Sequence, residues 1–228
     1  MPVYNEHGSF ERAMRELAKV PVPHRVLVVY DREEDTTLPI ARRLAGDYPS
    51  LELVKNVERG VLGAIKTGIR AARAEVVIIT MADLSDDLSV VPEMVRRILE
   101  GRDDIVCASR YMRGGAQHGG PRVKGLLSRL AGVSLHHLAG MPTHDATNAF
   151  RAYRRSVLLE IPIESRGGFE YTLELTAKAW AQGRRISEVP SVWRDRSTGR
   201  SNFQLRKWLP EYLRWYGYAL THRPRDPR

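Results

Sequence analysis

The chain is nearly devoid of cysteine: Cys107 is its single thiol in 228 residues. One thiol closes no internal disulfide and makes no Cys-rich zinc site, so a stapled secreted scaffold is excluded and a reducing compartment is expected. No apolar run approaches the roughly 18 residues of a membrane-spanning helix. The N-terminus has no basic stretch followed by an apolar run, so no signal peptide is expected. Repeats, low-complexity tracts and Gly/Ser linkers are also missing. What remains is an ordinary globular composition, 43% hydrophobic and 28% charged. Collagen, long coiled coil and wholesale disorder are thereby excluded. The length suits one domain with a short appendage.

Charge is the first departure from the ordinary. The net value is +9, and from Arg184 to Arg228 eleven basic residues face four acidic ones. A basic block of this kind suits an anionic partner such as phosphates, a lipid surface or nucleic acid. A solvated basic face with a loose tail over 221–228 is the simpler alternative.

The first two-thirds alternates apolar runs with helical stretches. Strands are expected at Arg25–Tyr30, Leu51–Val54, Glu75–Thr80 and Asp104–Ala108. Helices are expected at Thr36–Tyr48, Gly60–Ala72 and Val90–Leu99, the last with Pro92 in its first turn, where proline is tolerated. Apolar strands spaced by helices predict parallel βαβ units covered on both faces. In such sheets ligands bind at the carboxyl ends of the strands. After Tyr111 the glycine-rich run Arg113–Pro121 predicts a loop with no regular element. Helices at Val123–Leu138 and Phe169–Gln182, a strand at Arg185–Pro190, a polar loop at Trp193–Asn202 and an aromatic helix at Phe203–Leu220 complete the expectation.

Acidic residues collect where the strands end: Glu6, Asp31, and Asp83 with Asp86 and Asp87. Clustered carboxylates repel unless they hold a cation or hydrogen-bond a sugar or base. Hard ions such as Mg²⁺ or Mn²⁺ suit oxygen ligands of this type and are most useful when they bridge a diphosphate. Asp86 and Asp87 could instead cap the following helix. Asp83, directly after an apolar strand, is the functional candidate.

Taken in order, Pro2-Val3-Tyr4-Asn5-Glu6, the VVYD run ending at Asp31, the helix after Gly60 and Ile79–Ser85 resemble the landmarks of family 2 glycosyltransferases. So do Ala108–Tyr111 with Gly114-Gly115, Asp145–Arg151, Gly168-Phe169-Glu170 with Glu174, Glu188-Val189-Pro190 and Arg196–Ser201. The resemblance covers nearly the whole chain and points to the dolichol-phosphate mannosyltransferase-like, polyprenyl-phosphate sugar transferase branch. It implies a GT-A fold: α/β, Rossmann-like, with a mixed, mostly parallel sheet and helices on both faces. The domain would span 1–202, followed by an amphipathic helix at 203–220. It also implies roles. Tyr4 and Glu6 match the segment that meets the nucleotide, and Asp31 matches an acid that recognises the base. Asp83 matches the last Asp of the metal-holding signature, with Ser85, Asp86 and Asp87 as further ligand candidates. Arg110, Lys124 and Arg196 lie at or near positions of phosphate-binding cations.

Three departures follow. The first signature Asp is replaced by Met81, whose thioether is a poor ligand for a hard cation. Asn202 stands where relatives often carry Lys, and Arg200 is the candidate replacement. The chain opens at Met1-Pro2, inside the position of the family's first strand. Either that strand is unusually short or its start lies upstream.

The residue types also bear on the acceptor. Transfer of a sugar to an alcohol needs a base, whereas a phosphate acceptor is already ionised and needs cations. Arg110, Arg113, Arg122, Lys124, Arg194, Arg196 and Arg200 favour a polyprenyl phosphate. Asp145 is the base candidate for an alcohol; capping, or pairing with Arg151 or Arg154, is its structural alternative. Trp208, Leu209, Tyr212, Leu213, Trp215, Tyr216 and Leu220 recur at helical spacing beside Arg206, Lys207 and Arg214. That pattern fits a helix at a bilayer interface, and equally a stripe packed on the protein's own core.

His136-His137 has no companion at metal-ligand spacing, and Cys107 reads as a small buried residue. The expectation is therefore an inverting, Mg²⁺- or Mn²⁺-dependent hexosyltransferase, cytoplasmic and peripheral to the membrane. Its donor would be a nucleotide sugar of the GDP-mannose or UDP-glucose type, and a membrane-protein partner is possible on this reading. A catalytically weak GT-A domain serving as a scaffold is the alternative. Nucleic-acid binding would rest on net charge alone and is not expected.

Overall fold

The computed structural model describes residues 1–195, 205–222 and 224. The expected roles of Arg196, Arg200 and Asn202, and the tail beyond 224, lie outside them.

Strand β1 (Val26–Tyr30) runs parallel to β2 (Leu51–Lys55), with Val26 opposite Leu51. Met1–Val3 lies along the other edge of β1: Pro2 faces Val29 in a parallel bridge, Val29 N donates to Met1 O, and Val3 N donates to Val29 O. A second sheet has the order β3–β6–β4–β7, with β3 Val76–Ile79, β4 Ile105–Ser109, β6 Arg151–Arg154 and β7 Ile186–Pro190. Strand β6 is antiparallel to both of its neighbours, while β4 and β7 are parallel. The expected mixed α/β architecture is therefore present, with an antiparallel strand at its centre that the apolar runs did not disclose.

The reason β4 can sit inside is visible in its residues. All five are buried. Ile105 and Cys107 belong to one apolar cluster, and Val106 and Ala108 to another. Successive strand side chains point to opposite faces, so a run with no polar residue on either face is buried on both. One face carries α4 (Val91–Leu99) through Met94 and Ile98. The other carries α3 (Val61–Ala71), α5 (Arg122–Ala139), α6 (Arg155–Glu160) and α7 (Tyr171–Ala181). Helix α7 is buried from Tyr171 to Trp180, as expected of a helix enclosed on all sides.

Helix α1 (Phe10–Ala18) buries Phe10, Ala13, Met14 and Leu17, an i, i+3, i+4, i+7 stripe legible in the sequence but not read there. Helix α2 (Leu38–Leu44) is shorter than expected at both ends. Two expected loops contain strands: β5 (Ala116–His118) pairs in parallel with β8 (Val192–Arg194). These strands are three residues each and flanked by glycine or polar residues, below the length at which periodicity speaks.

Helix α8 (Leu205–Thr221) packs against α7 and α5. Trp215 is 2% exposed and its Nε1 donates to Ser165 Oγ at 3.1 Å. Tyr212, Tyr216, Tyr218 and Leu220 pack against the same core. Of the two readings of the aromatic stripe, the described residues support packing on the protein itself; Leu209 and Leu213 are exposed among the side chains described. No described helix is long and apolar enough to cross a membrane.

Replacing Trp215 by alanine removes the largest fully buried side chain and leaves the Ser165 hydroxyl without its donor. The expected loss is about 3–5 kcal/mol of unfolding free energy, measured by urea denaturation. An unchanged midpoint would show that α8 is not part of the core.

Candidate functional site

The sheet ends bring the N-terminal candidates together. Asn5 takes a left-handed backbone, φ +57, which turns the chain off the edge of β1. Asn5 N then donates to Asp35 Oδ1, and Glu6 N donates to Thr37 Oγ1. Tyr4 is exposed beside this turn. Ser9 Oγ donates to Glu6 Oε2, and the Glu6 carbonyl accepts from the first turn of α1. Asp31, just past β1, accepts from Asn56 Nδ2 at 2.6 Å and from Gly60 N at 2.8 Å. Its carboxylate thus closes the turn that starts α3, and Asn56, unnoticed in the sequence, is its principal partner.

The acidic loop follows β3. Asp83 is buried, and its Oδ1 accepts from Ser85 N at 3.1 Å and Ser85 Oγ at 2.6 Å. Asp86 accepts from Thr80 Oγ1 and Met81 N. Burial, and then the nearby Asp83 carboxylate, push the Asp86 pKa up to about 7. Asp87 accepts from Ser89 N and Oγ and caps the short 3₁₀ turn Leu88–Val90. Asp87 therefore takes the capping role raised from sequence, whereas Asp86 binds back to the end of β3 with the Asp83 carboxylate nearby. Among the described residues no three His, Cys, Asp or Glu side chains gather as a metal cage. The donor chemistry still fits Mg²⁺ or Mn²⁺ at Asp83, because such ions use one or two carboxylates and take remaining ligands from phosphates and water. A cavity of about 400 Å³ opens beside this loop, lined by Met81, Ser85, Asp86, Asp87 and Arg194, with Arg12 of α1 opposite.

A buried ion pair lies past the end of β4. Arg110, just past β4, donates from Nε to Asp145 Oδ2 at 2.7 Å and from Nη2 to Oδ1 at 2.9 Å. Its backbone N donates to the same carboxylate. Nη2 also reaches Ser128 Oγ on α5 and Thr147 Oγ1. The Asp145 side chain is 0% and that of Arg110 11% exposed. Burial opposes both charges, but each more than offsets the other's penalty, so Asp145 sits below and Arg110 above its usual range. Asp145, the base candidate for an alcohol acceptor, is buried and committed to Arg110 in this structure. Of its structural alternatives, the capping one is met, since Asp145 Oδ1 accepts from Thr147 N and Asn148 N, while Arg151 Nη2 donates to the Asp145 carbonyl, not its carboxylate. Arg154 instead pairs with Glu75 and Asp104.

Lys124 lies in the first turn of α5, one turn before Ser128. Arg194 N donates to Ser85 O, which ties β8 to the acidic loop. His136 and His137 do acquire a companion through the fold: the His144 ring stacks on His136 at 3.8 Å, and its Nδ1 lies 2.5 Å from Glu188 Oε1. Cys107 is buried as expected. Ser128, Thr147 and Tyr111, whose hydroxyl donates to Ser128 Oγ, surround the Arg110–Asp145 pair. As isolated hydroxyls they give no sequence signal.

A family model described as "Glycosyl transferase family 2" matches residues 1–161. The chain is 27% identical over 220 residues to a dolichol-phosphate mannosyltransferase of Pyrococcus furiosus, covering 94% of this chain and 60% of that protein. It is 29% identical to a polyprenol monophosphomannose synthase of Mycolicibacterium smegmatis, covering 88% of this chain and 78% of that one. Among solved structures, glucosyl-3-phosphoglycerate synthase of Mycobacterium tuberculosis with bound phosphoglyceric acid superposes with a TM-score of 0.69 at 18% identity, covering 99% of this chain and 79% of that one. The same synthase with Mn²⁺, uridine diphosphate and glucosyl-3-phosphoglycerate gives 0.66 at 18% identity, with coverage of 99% and 79%. These likenesses establish the fold.

Asp145→Asn leaves Arg110 buried without its counter-charge, and the expected loss is about 3–5 kcal/mol of stability. Because the Asp145 pKa is depressed on folding, its contribution is present above the ordinary carboxylate range and is lost as pH falls through the folded value. Denaturation across the acid range should show a steeper fall for wild type than for the variant. Parallel acid limbs would contradict the assignment.

Proposed function

As the chain belongs to glycosyl transferase family 2, we propose that it transfers a hexose from a nucleotide sugar to a polyprenyl phosphate with inversion. The observation that supports this acceptor is the state of Asp145. The base that an alcohol acceptor would need is buried and committed to Arg110. A phosphate monoester brings its own charged nucleophile and needs no base. The mannosyltransferase names of the relatives point the same way.

On this reading the nucleotide lies over the ends of Met1–Val3 and β1, with Tyr4 against the base and Glu6 and Asp31 on base and ribose. The sugar and diphosphate lie towards Asp83. A divalent cation held at Asp83 would neutralise charge on the departing diphosphate. An oxygen of the lipid phosphate attacks the anomeric carbon from the side opposite the leaving group; the bond to the diphosphate breaks as the new one forms. Arg110 serves this step by position. Its Nε and Nη2 are spent on Asp145, Ser128 and Thr147, so on this reading Nη1 is the nitrogen left for a phosphate. Lys124, Arg196 and Arg200 are further phosphate-binding candidates. The protein would work at the cytoplasmic face of the membrane.

Purified protein assayed with a nucleotide-sugar panel, Mn²⁺ and a polyprenyl phosphate should form the glycosyl lipid phosphate. Chelation with EDTA should abolish product and excess Mn²⁺ should restore it. Asp83→Ala should lower kcat/KM about a hundredfold or more, the scale on which losing one preorganised charge acts. Absence of turnover in wild type, or an Asp83→Ala protein equal to it, would favour the scaffold alternative.

A further inference from the structure

The end of α5 gathers three imidazoles and a carboxylate that the transfer reading leaves unused. His136 and His137 come from the last turn of the helix, His144 from the turn before β6, and Glu188 from β7. The His136 and His144 rings stack at 3.8 Å with 27° between their planes. His137 stands edge-on to them at 5.0 and 6.3 Å. Glu188 holds the turn with both oxygens: Oε1 lies 2.5 Å from His144 Nδ1, and Oε2 accepts from His144 N at 2.7 Å and Thr143 Oγ1 at 3.1 Å. Thr143 Oγ1 in turn accepts from Asp145 N. The other side of the turn lies against α5, where a Cβ on Gly132 would come to 2.2 Å from His144 O. One carboxylate thus pins the residues that deliver Asp145 to Arg110.

The hydrogen bonds decide where protons go. Carbonyls and carboxylates only accept, so Nδ1 of His136, 2.8 Å from Met141 O, and Nδ1 of His144 each carry a hydrogen. A further proton on either ring sits on Nε2 and makes an imidazolium. A charge on His144 faces Glu188. A second charge, on His136, faces a carbonyl and lies one stacking distance from the first. Like charges there repel, and with the side chains of His144 and Glu188 28% and 10% exposed, water screens them poorly. Other groups face the cluster from the elements around it. Cys107 of β4 is kept a thiol by burial, and Asp145 is committed to Arg110. Arg97 of α4 reaches the Glu188 carbonyl, and Tyr216 of α8 bonds to Ser134.

We propose that His144 and Glu188 are positioning residues for Arg110, and that the His136–His144 stack makes their hold sensitive to protons. With at most one ring charged, the stack and Glu188 keep the Thr143–Asp145 turn against α5. With both charged the rings part. Gly132 leaves the turn no room to move inward, so it swings outward and draws Asp145 away from Arg110. The inference rests on the transfer reading, in which Arg110 meets a phosphate.

The test follows the Arg110 Nε–H signal of the full chain by NMR, identified by its loss in Arg110→Lys. The range is about pH 8 to about 5.5, where imidazoles titrate. The kcat/KM for a short-chain, water-soluble prenyl phosphate is measured alongside. In wild type the signal should shift on acidification and kcat/KM should fall. The acceptor phosphate itself titrates near about pH 6, so the deciding comparison is His136→Phe, which keeps a ring in the stack and takes no proton. Its Arg110 signal should stay in place, and its kcat/KM should fall about tenfold less than that of wild type, the effect of one fewer essential ionisation over a pH unit. Glu188→Gln can donate to a neutral His144 ring but not accept from a charged one, so its Arg110 signal should shift at a higher pH than in wild type. An Arg110 signal that ignores pH in wild type, that follows it alike in His136→Phe, or that Glu188→Gln leaves untouched would overturn the proposal. The expected shifts without turnover would overturn the transfer reading and leave the positioning standing.

Discussion

The Arg110–Asp145 pair is the interaction on which the rest of the site depends. Taking two charges out of water is costly, and the cost is recovered only where geometry is good and the remaining donors are satisfied. Here the carboxylate accepts three bonds from Arg110 and further bonds from Thr147 N and Asn148 N. The guanidinium also reaches α5 through Ser128. One pair thus ties the end of β4, the turn before β6 and the inner face of α5. The Asp145 carbonyl adds a fourth element by accepting from Arg151, itself wholly buried on β6. The antiparallel β6 carries an arginine into the core because its Nη1 and Nη2 meet carbonyls and a hydroxyl of α7 and the Asp145 turn.

How much of this was legible beforehand follows from the range of each interaction. Strands β1, β3 and β4 were readable because they carry apolar residues at consecutive positions, a local signal. Strand β6 reads Arg-Ala-Tyr-Arg, and nothing in that tetrapeptide shows that α7 waits to satisfy Arg151. Asp83 was found because a carboxylate directly after an apolar strand must sit at the sheet's edge. Asp145 was found too, but with an open role, since its partner lies 35 residues away. A base and a structural counter-ion are the same residue until the neighbour is known. The same holds for His136, whose stacking partner His144 comes from the far side of a turn.

Two helices exchange the roles that composition would give them. The aromatic, basic α8 turns Trp215 and its tyrosines inward, where Arg214 and Lys178 cover the indole face. The leucine-bearing α5 turns its leucines outward. Helical periodicity detects a stripe without saying which side of it meets solvent; that depends on what the helix packs against. For α8 the answer is α7 and α5; α5 meets the core through Leu135 and Ala139 on one side, which leaves its exposed leucines on the other.

The β5–β8 ladder, three residues on each side, links the Gly115–Pro121 segment to Val192–Arg194. Arg194 N in turn donates to Ser85 O in the acidic loop, and Asp195 N to His118 O. The three segments therefore share one hydrogen-bonded strap across the mouth of the site. The acidic loop cannot shift alone: displacing Ser85 pulls β8, and β8 pulls the turn that leads into α5. Entry of a ligand on one side of the strap is mechanically felt on the other, so the two substrates of a transfer would meet a single hinge instead of two independent gates.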